Sequence, residues 1–136
     1  MIKVIAITKQ TIFLEKIGLF FQPAGIQVIA VSVVPMQGMK ILASKAFDVA
    51  LVDINWHDKE SPSTFEKLVS VPGRTNIARK TIGMATFYSE QDLTQLTTLG
   101  VGGYFVRTIP DGVTVLINSI KAVSAGGFSF PRITFD

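Results

Sequence analysis

The sequence contains no cysteine and one histidine, His57. Disulfides, thiolate zinc sites and cysteine nucleophiles are therefore excluded, and no second histidine is present to complete a metal cluster or a serine triad. No apolar run approaches the roughly 18 to 20 residues that a membrane span needs. The apolar start Ile2 to Ile7 is also too short for a signal-peptide core. We therefore expect a cytoplasmic protein that does not contact a membrane.

Charged residues are scarce as well, at 17% of the chain, and the net charge is +3. The one group of basic residues is Arg74, Arg79 and Lys80, which is too small for a nucleic-acid footprint and indicates a solvated face. In contrast, hydrophobic residues make up 48% of 136 residues, which is enough for the buried core of one domain. No pair of nucleophile and base is visible, so we do not expect an enzyme.

Short apolar runs recur at regular intervals and predict five strands, at Val4 to Ile7, Val28 to Val31, Val49 to Val52, Ile82 to Ala85, and Tyr104 to Val106. Because most runs are continuous rather than alternating, each strand is expected to be covered on both faces, as in a parallel sheet.

The segments between the runs have helical spacing. Stripes for the first two helices are formed by Phe13, Ile17, Phe20 and Phe21, and by Met36, Met39 and Ala43. Ser89 caps a fourth helix that Gly100 ends, and a fifth follows Pro110. The pattern predicts an α/β fold with a doubly wound (βα)5 parallel sheet between two helix layers.

In such folds the functional groups lie at the carboxyl ends of the strands. The residues at the ends of the first, third, fourth and fifth strands are Thr8 and Lys9, Asp53 with Asn55 after it, Ala85 and Thr86, and Arg107.

These strand ends resemble those of bacterial response regulator receiver domains, the CheY-like family of two-component phosphorelays. The segment 48–55, DVALVDIN, resembles the third strand of the family, with Asp53 at the position of the phosphoacceptor aspartate. The segment 100–107, GVGGYFVR, is similar to the fifth strand, with Tyr104 at the switch aromatic and Arg107 in place of lysine. The segment 117–131 is similar to the last receiver helix and the stretch after it in NarL/LuxR-type transcription regulators.

The chain departs from the family at the residues that carry the chemistry. Receivers have two acidic residues after the first strand, which help to hold a divalent ion, and this chain has Thr8 and Lys9. They have Ser or Thr at the end of the fourth strand, where this chain has Ala85, with Thr86 one residue late and therefore turned to the other face. Asn55 matches a position that uses its backbone carbonyl.

The departures reverse the charge of the pocket. Lys9 and Arg107 face one carboxylate, so the net charge is +1, whereas the family's residues give −2 and suit a hard cation. We therefore expect no magnesium site, no cofactor and no efficient phosphorylation. A carboxylate at a partly buried strand end is costly unless paired, and we expect Lys9 to be the partner of Asp53, with Arg107 bracing it.

The resemblance implies an atypical receiver over residues 1–127 and, over 128–136, the start of a linker to an absent output domain. We expect regulation through a protein partner or a homodimer, with DNA binding confined to that absent domain. A second hypothesis is a sensor that binds a small anion or metabolite in the same pocket. A conventional phosphorylated receiver that uses Asp53 and magnesium is the third.

Overall fold

The computed structural model describes residues 1–56, 63–71, 74 and 76–131, and these residues form five β-strands that alternate with five α-helices. The strands are β1 (Ile2–Ile7), β2 (Ile26–Ser32), β3 (Val49–Asp53), β4 (Thr81–Ala85) and β5 (Gly103–Val106). The helices are α1 (Thr11–Phe21), α2 (Pro35–Ser44), α3 (Ser63–Val69), α4 (Glu90–Leu99) and α5 (Gly112–Ser124). None of the helices within these described ranges has the length and apolar character of a membrane span.

The strands form one sheet in the order β2-β1-β3-β4-β5, and every pairing is parallel. The chain therefore reverses its direction of winding at β1 and β3, whose carboxyl ends form the switch point of the sheet. The predicted doubly wound (βα)5 fold is confirmed. Each predicted strand lies inside an observed one, and the observed strands extend up to two residues further.

Continuous apolar runs form buried strands here because helices cover both faces of the sheet. Every residue of β3 and β4 is buried. On one face the sheet packs against α1 and α5, and on the other against α2, α3 and α4. The helices thus cover the two faces of the sheet but not the carboxyl ends of its strands.

The predicted cap of the fourth helix is also present. The Ser89 hydroxyl accepts a hydrogen bond from the Asp92 amide over 3.3 Å, and Gly100 ends α4 in the left-handed conformation with φ 74°. Ser89 therefore fixes where α4 begins, next to the end of β4.

The predicted stripe of the second helix is right at Met39, which packs against the core, and wrong at its other two residues. Met36 is 70% exposed and Ala43 is exposed, whereas Gly38 and Leu42 are buried. The reason is close packing: a Cβ atom at Gly38 would lie 2.8 Å from Ile7 Cγ2, so α2 approaches the sheet through its glycine. Hydrophobic spacing does not reveal such a contact. On α1, Phe20 is likewise exposed, at 55%.

The basic group does not form a uniformly solvated face either. Arg79 donates from Nη1 to the Gly127 carbonyl over 2.9 Å and from Nη2 to the Gly126 carbonyl, and its guanidinium lies 3.5 Å from the centre of the Phe128 ring. Arg79 is therefore a structural residue that holds the chain after α5.

Candidate functional site

Asp53 is the last residue of β3 and lies at the centre of the carboxyl edge, 4% exposed. The register places Asp53 beside Met84 of β4, and the β1 end lies on its other side. A carboxylate at this depth loses most of its hydration and needs donors from the protein.

Three donors surround this carboxylate, two of them just after β1 and one just after β5. Thr8 Oγ1 donates to Asp53 Oδ2 over 2.9 Å and the Lys9 amide donates to the same oxygen over 3.0 Å. Arg107 Nη1 donates to Oδ1 over 3.1 Å and completes an ion pair. Arg107 Nη2 is used elsewhere, in a hydrogen bond of 2.9 Å to Thr86 Oγ1. Both oxygens of Asp53 are therefore engaged.

The prediction that Lys9 is the ionic partner of Asp53 is wrong. Lys9 is exposed and places its ammonium over the ring of Trp56, 5.7 Å from the ring centre, while only its backbone amide reaches Asp53. The physical reason is that Thr8 is the inward residue of the pair and Lys9 the outward one, since side chains alternate along a strand. Thr8 is 1% exposed, and its hydroxyl also accepts from the Gln10 amide over 2.9 Å.

Arg107, and not Lys9, is the ionic partner of Asp53. It follows β5, and its amide donates to the Ala85 carbonyl over 2.8 Å, so the strand pairing continues one residue past β5. Its guanidinium reaches across the end of β4 to Asp53, and its second hydrogen bond, to Thr86, fixes its orientation. Thr86 is exposed and does not contact Asp53 directly, whereas Ala85 is buried and contributes no polar group.

Tyr104 of β5 is buried, and its hydroxyl lies at the start of α4. Tyr104 Oη accepts a hydrogen bond from the Ser89 amide over 3.0 Å, and it lies 3.4 Å from Asp92 Oδ2. Burial raises the pKa of Tyr104 to about 12, since the ionised ring would lose hydration and face Asp92. Burial also raises the pKa of Asp92, although the hydrogen bond from Tyr104 acts in the opposite direction.

A cavity of about 500 Å³ opens beside the ion pair, between the strand ends and the start of α4. Its polar lining includes Gln10, Asn55, Thr86, Ser89 and Arg107. Asn55 is exposed at this rim. The structure thus brings together Thr8, the Lys9 amide, Asp53, Thr86 and Arg107. Tyr104 bonds Ser89, which lines the cavity, and His57 lies outside the described residues.

The donor set does not fit a magnesium ion. Mg²⁺ demands near-octahedral oxygen coordination, with one or two carboxylates that are free to bind it. Here Asp53 is already bonded to a guanidinium, a hydroxyl and an amide. In the part of the chain that the structure describes, no three His, Cys, Asp or Glu side chains lie close enough to hold a metal.

Solved structures resemble this chain over nearly its whole length. A LuxR-family two-component response regulator from Aurantimonas sp. SI85-9A1 is 15% identical, with a TM-score of 0.75 over 93% of this chain and 87% of the other. The RcsB response regulator of Salmonella typhimurium, also 15% identical, has a TM-score of 0.78 over 97% of this chain and 66% of the other.

The fold is that of a receiver domain. A third receiver structure, from a sensor histidine kinase of Pseudomonas aeruginosa PAO1, has a TM-score of 0.66 at 13% identity over 90% of this chain and 97% of the other, and it has a magnesium ion in its active site cleft. No protein-family model and no curated protein matches the chain. The receiver fold is thus shared.

The sequence did not reveal two features of the candidate site. The bond between Arg107 and Thr86 was missed, although a polar residue after β4 was its signal. The contact between Tyr104 and Ser89 was missed because Ser89 was assigned only to the cap of α4. The two bonds join residues that are 15 and 21 positions apart in sequence, and a local pattern does not report such pairs.

Proposed function

We propose that this chain is an atypical receiver domain that acts in signal transduction through protein contacts, without phosphoryl transfer to Asp53. The observation that carries the proposal is that both carboxylate oxygens of Asp53 accept hydrogen bonds from the protein. Arg107 supplies the positive charge that a divalent ion supplies in receivers that are phosphorylated. A carboxylate held in this way is a poor nucleophile, because attack would break the charge-assisted bond without a metal to orient the phosphoryl donor.

Incubation with acetyl phosphate and magnesium, followed by intact mass measurement, tests the proposal. We expect the chain to remain unmodified. A matched variant that restores the family's residues, Thr8→Asp with Lys9→Asp, Ala85→Thr and Arg107→Lys, is expected to gain one phosphoryl group. Adding Asp53→Asn to this variant should abolish the gain. A receiver domain with the full acidic set serves as a positive control for the reagent.

A phosphoryl group on the unaltered chain that disappears in Asp53→Asn would contradict the proposal. It would instead support the conventional phosphorylated receiver. Magnesium binding can be followed independently by the emission of Trp56, the one tryptophan of the chain, which lies under the Lys9 ammonium. We expect no change in emission at millimolar magnesium.

Exposed apolar side chains support the choice of protein contacts. Ile12, Leu19 and Phe20 project from α1 and are 69%, 78% and 55% exposed. Apolar side chains grouped on one helix are typical of surfaces that bind another protein or a second copy. Sedimentation of the chain with and without Leu19→Glu tests the homodimer, which should dissociate in the variant. On this proposal the domain is cytoplasmic, and any DNA binding belongs to a separate output domain.

A second candidate function is sensing of a small anion or metabolite, and the cavity beside Arg107 is the observation that favours it. Arg107 is then the anchor, with Thr86, Asn55 and Gln10 as orienting groups. A thermal-shift screen with phosphate, nucleotides and acidic metabolites separates the two functions, because a ligand raises the melting temperature with its concentration. A response that Arg107→Met abolishes would favour the sensor, and no response would favour the interaction module.

A further inference from the structure

The chain after α5 lies against the sheet. Ser129 forms a parallel bridge with Gly103, in which the Ser129 amide donates to the Gly102 carbonyl and the Tyr104 amide donates to the Ser129 carbonyl, both over 2.9 Å. A hydrogen bond of 2.7 Å joins the hydroxyls of Ser129 and Ser119. Residues 127–131 therefore cover the outer edge of β5, which would otherwise expose unpaired backbone groups.

The sequence makes room for this segment. A Cβ atom at Gly103 would lie 2.8 Å from the Ser129 carbonyl oxygen, so any larger residue would push the segment away. Arg79 fixes the turn before it, through the carbonyls of Gly126 and Gly127, and Phe130 packs against the core on the α4 side of the sheet. The β5 edge and the segment thus fit each other at several independent points.

Tyr104 belongs to both this edge and the candidate site. Its backbone amide is bonded to Ser129, and its side-chain hydroxyl accepts from the Ser89 amide at the start of α4. The hydroxyl also lies 3.4 Å from the Phe87 carbonyl, within the loop that joins β4 to α4. One residue therefore connects the segment after α5 to the loop that borders the cavity.

We propose that the β5 edge is a docking surface for residues 127–131 and that its occupancy is coupled through Tyr104 to the β4–α4 loop. When residues 127–131 leave the edge, the Tyr104 amide loses its hydrogen-bond partner and the Tyr104 side chain becomes more mobile. The hydrogen bond between the Ser89 amide and the Tyr104 hydroxyl is then weakened. The reverse holds too, because coupling between two sites is reciprocal. The edge is open to another extended strand only when the segment has left it.

Amide hydrogen exchange of the full chain, resolved by NMR, tests the coupling. Ser129→Pro removes the amide that donates to Gly102, while Ser129→Ala keeps it and serves as the matched control. In Ser129→Pro we expect the Tyr104 amide to exchange faster, and the Ser89 amide to follow by about tenfold, within the usual range for coupled sites. The Leu51 amide in the buried strand β3 should keep its rate.

The reciprocal variant is Tyr104→Phe, which keeps the ring and removes the hydroxyl that Ser89 contacts. We expect the Ser129 amide to exchange faster by the same factor. Three results would overturn the proposal. The first is a Ser89 amide that stays protected when the Tyr104 amide is free. The second is equal acceleration at Leu51, which indicates global destabilisation. The third is an unprotected Tyr104 amide in the unaltered chain.

Discussion

Arg107 lies two strands away from Asp53 in the sheet, yet its guanidinium is 3.1 Å from Oδ1 of that carboxylate and spans the end of β4 between them. The cation that pairs with Asp53 therefore comes from the residue after the edge strand β5. Lys9, which follows the neighbouring strand β1, contributes only its backbone amide. Because the pair is internal to the domain, the charge of Asp53 is balanced before any ion or partner arrives.

Arg107→Met is expected to destabilise the domain. The substitution keeps much of the side-chain bulk but leaves Asp53 buried without a cation, and breaking a buried pair in this way costs about 3 to 5 kcal/mol. Since Thr8 and the Lys9 amide still hold Oδ2, we expect a loss near 3 kcal/mol. Urea unfolding measures this change in the free energy of unfolding.

The double variant Arg107→Met with Asp53→Asn serves as the control for the ion pair. Removing both charges leaves no buried carboxylate without a partner, so the loss should be smaller than the sum of the two single losses. Losses that simply add would mean that the two residues do not interact. Arg107→Lys should recover part of the stability, because lysine retains the charge but not the fork that also reaches Thr86.

The Thr8 hydroxyl makes a separate contribution. It donates to Asp53 and accepts from the Gln10 amide just before α1, so Thr8→Val removes one of the three donors to the buried carboxylate and the acceptor of the Gln10 amide at once. We expect a loss of about 1 to 3 kcal/mol in the free energy of unfolding. Thr8→Ser keeps the hydroxyl and is the matched control, expected to lose clearly less. A loss in Thr8→Val no larger than that in Thr8→Ser would show that the hydroxyl contributes no more than the methyl group, against this prediction.

The fold was predictable because it depends on local patterns. Continuous apolar runs identified all five strands, and Ser89 and Gly100 marked the ends of α4 before any contact was known. The packing face of α2 was not predictable, since it depends on Gly38 meeting Ile7, a residue more than thirty positions earlier in the chain.

The site was predictable in its membership but not in its bonds. The rule that functional groups meet at strand ends selected Thr8, Lys9, Asp53, Thr86 and Arg107, which do lie together. Whether Lys9 or Arg107 pairs with Asp53 depends on which side chain after β1 points into the pocket. A count of charges does not give that orientation. Likewise, the two carbonyl contacts of Arg79 are with residues 47 and 48 positions later in the chain, so the sequence alone suggested a solvated side chain.

Alkaline pH should weaken the domain through Tyr104. Its pKa is raised from 10.0 to about 12 in the folded state, so the folded chain keeps the proton more tightly than the unfolded one. The contribution is fully present below pH 10, declines as pH rises above 10, and is lost above 12. The chain has two tyrosines, so the tyrosinate absorbance of Tyr88→Phe reports Tyr104 alone. Ionisation near pH 10 in the folded variant would contradict the buried position of the ring.

Two helical glycines should respond in opposite directions to alanine. Gly18 of α1 has open space where a Cβ atom would lie, so Gly18→Ala should stabilise the domain by about 0.5 to 1 kcal/mol through helix propensity. A Cβ atom at Gly38 of α2 would lie 2.8 and 2.9 Å from two carbons of the fully buried Ile7. Gly38→Ala should therefore destabilise by about 1 to 3 kcal/mol, the usual cost of overpacking. Each helix is the control for the other in urea unfolding, since both changes add the same methyl group. A gain at both positions would mean that α2 has room to move away from β1, and that the approach of α2 to the sheet is not set by Gly38.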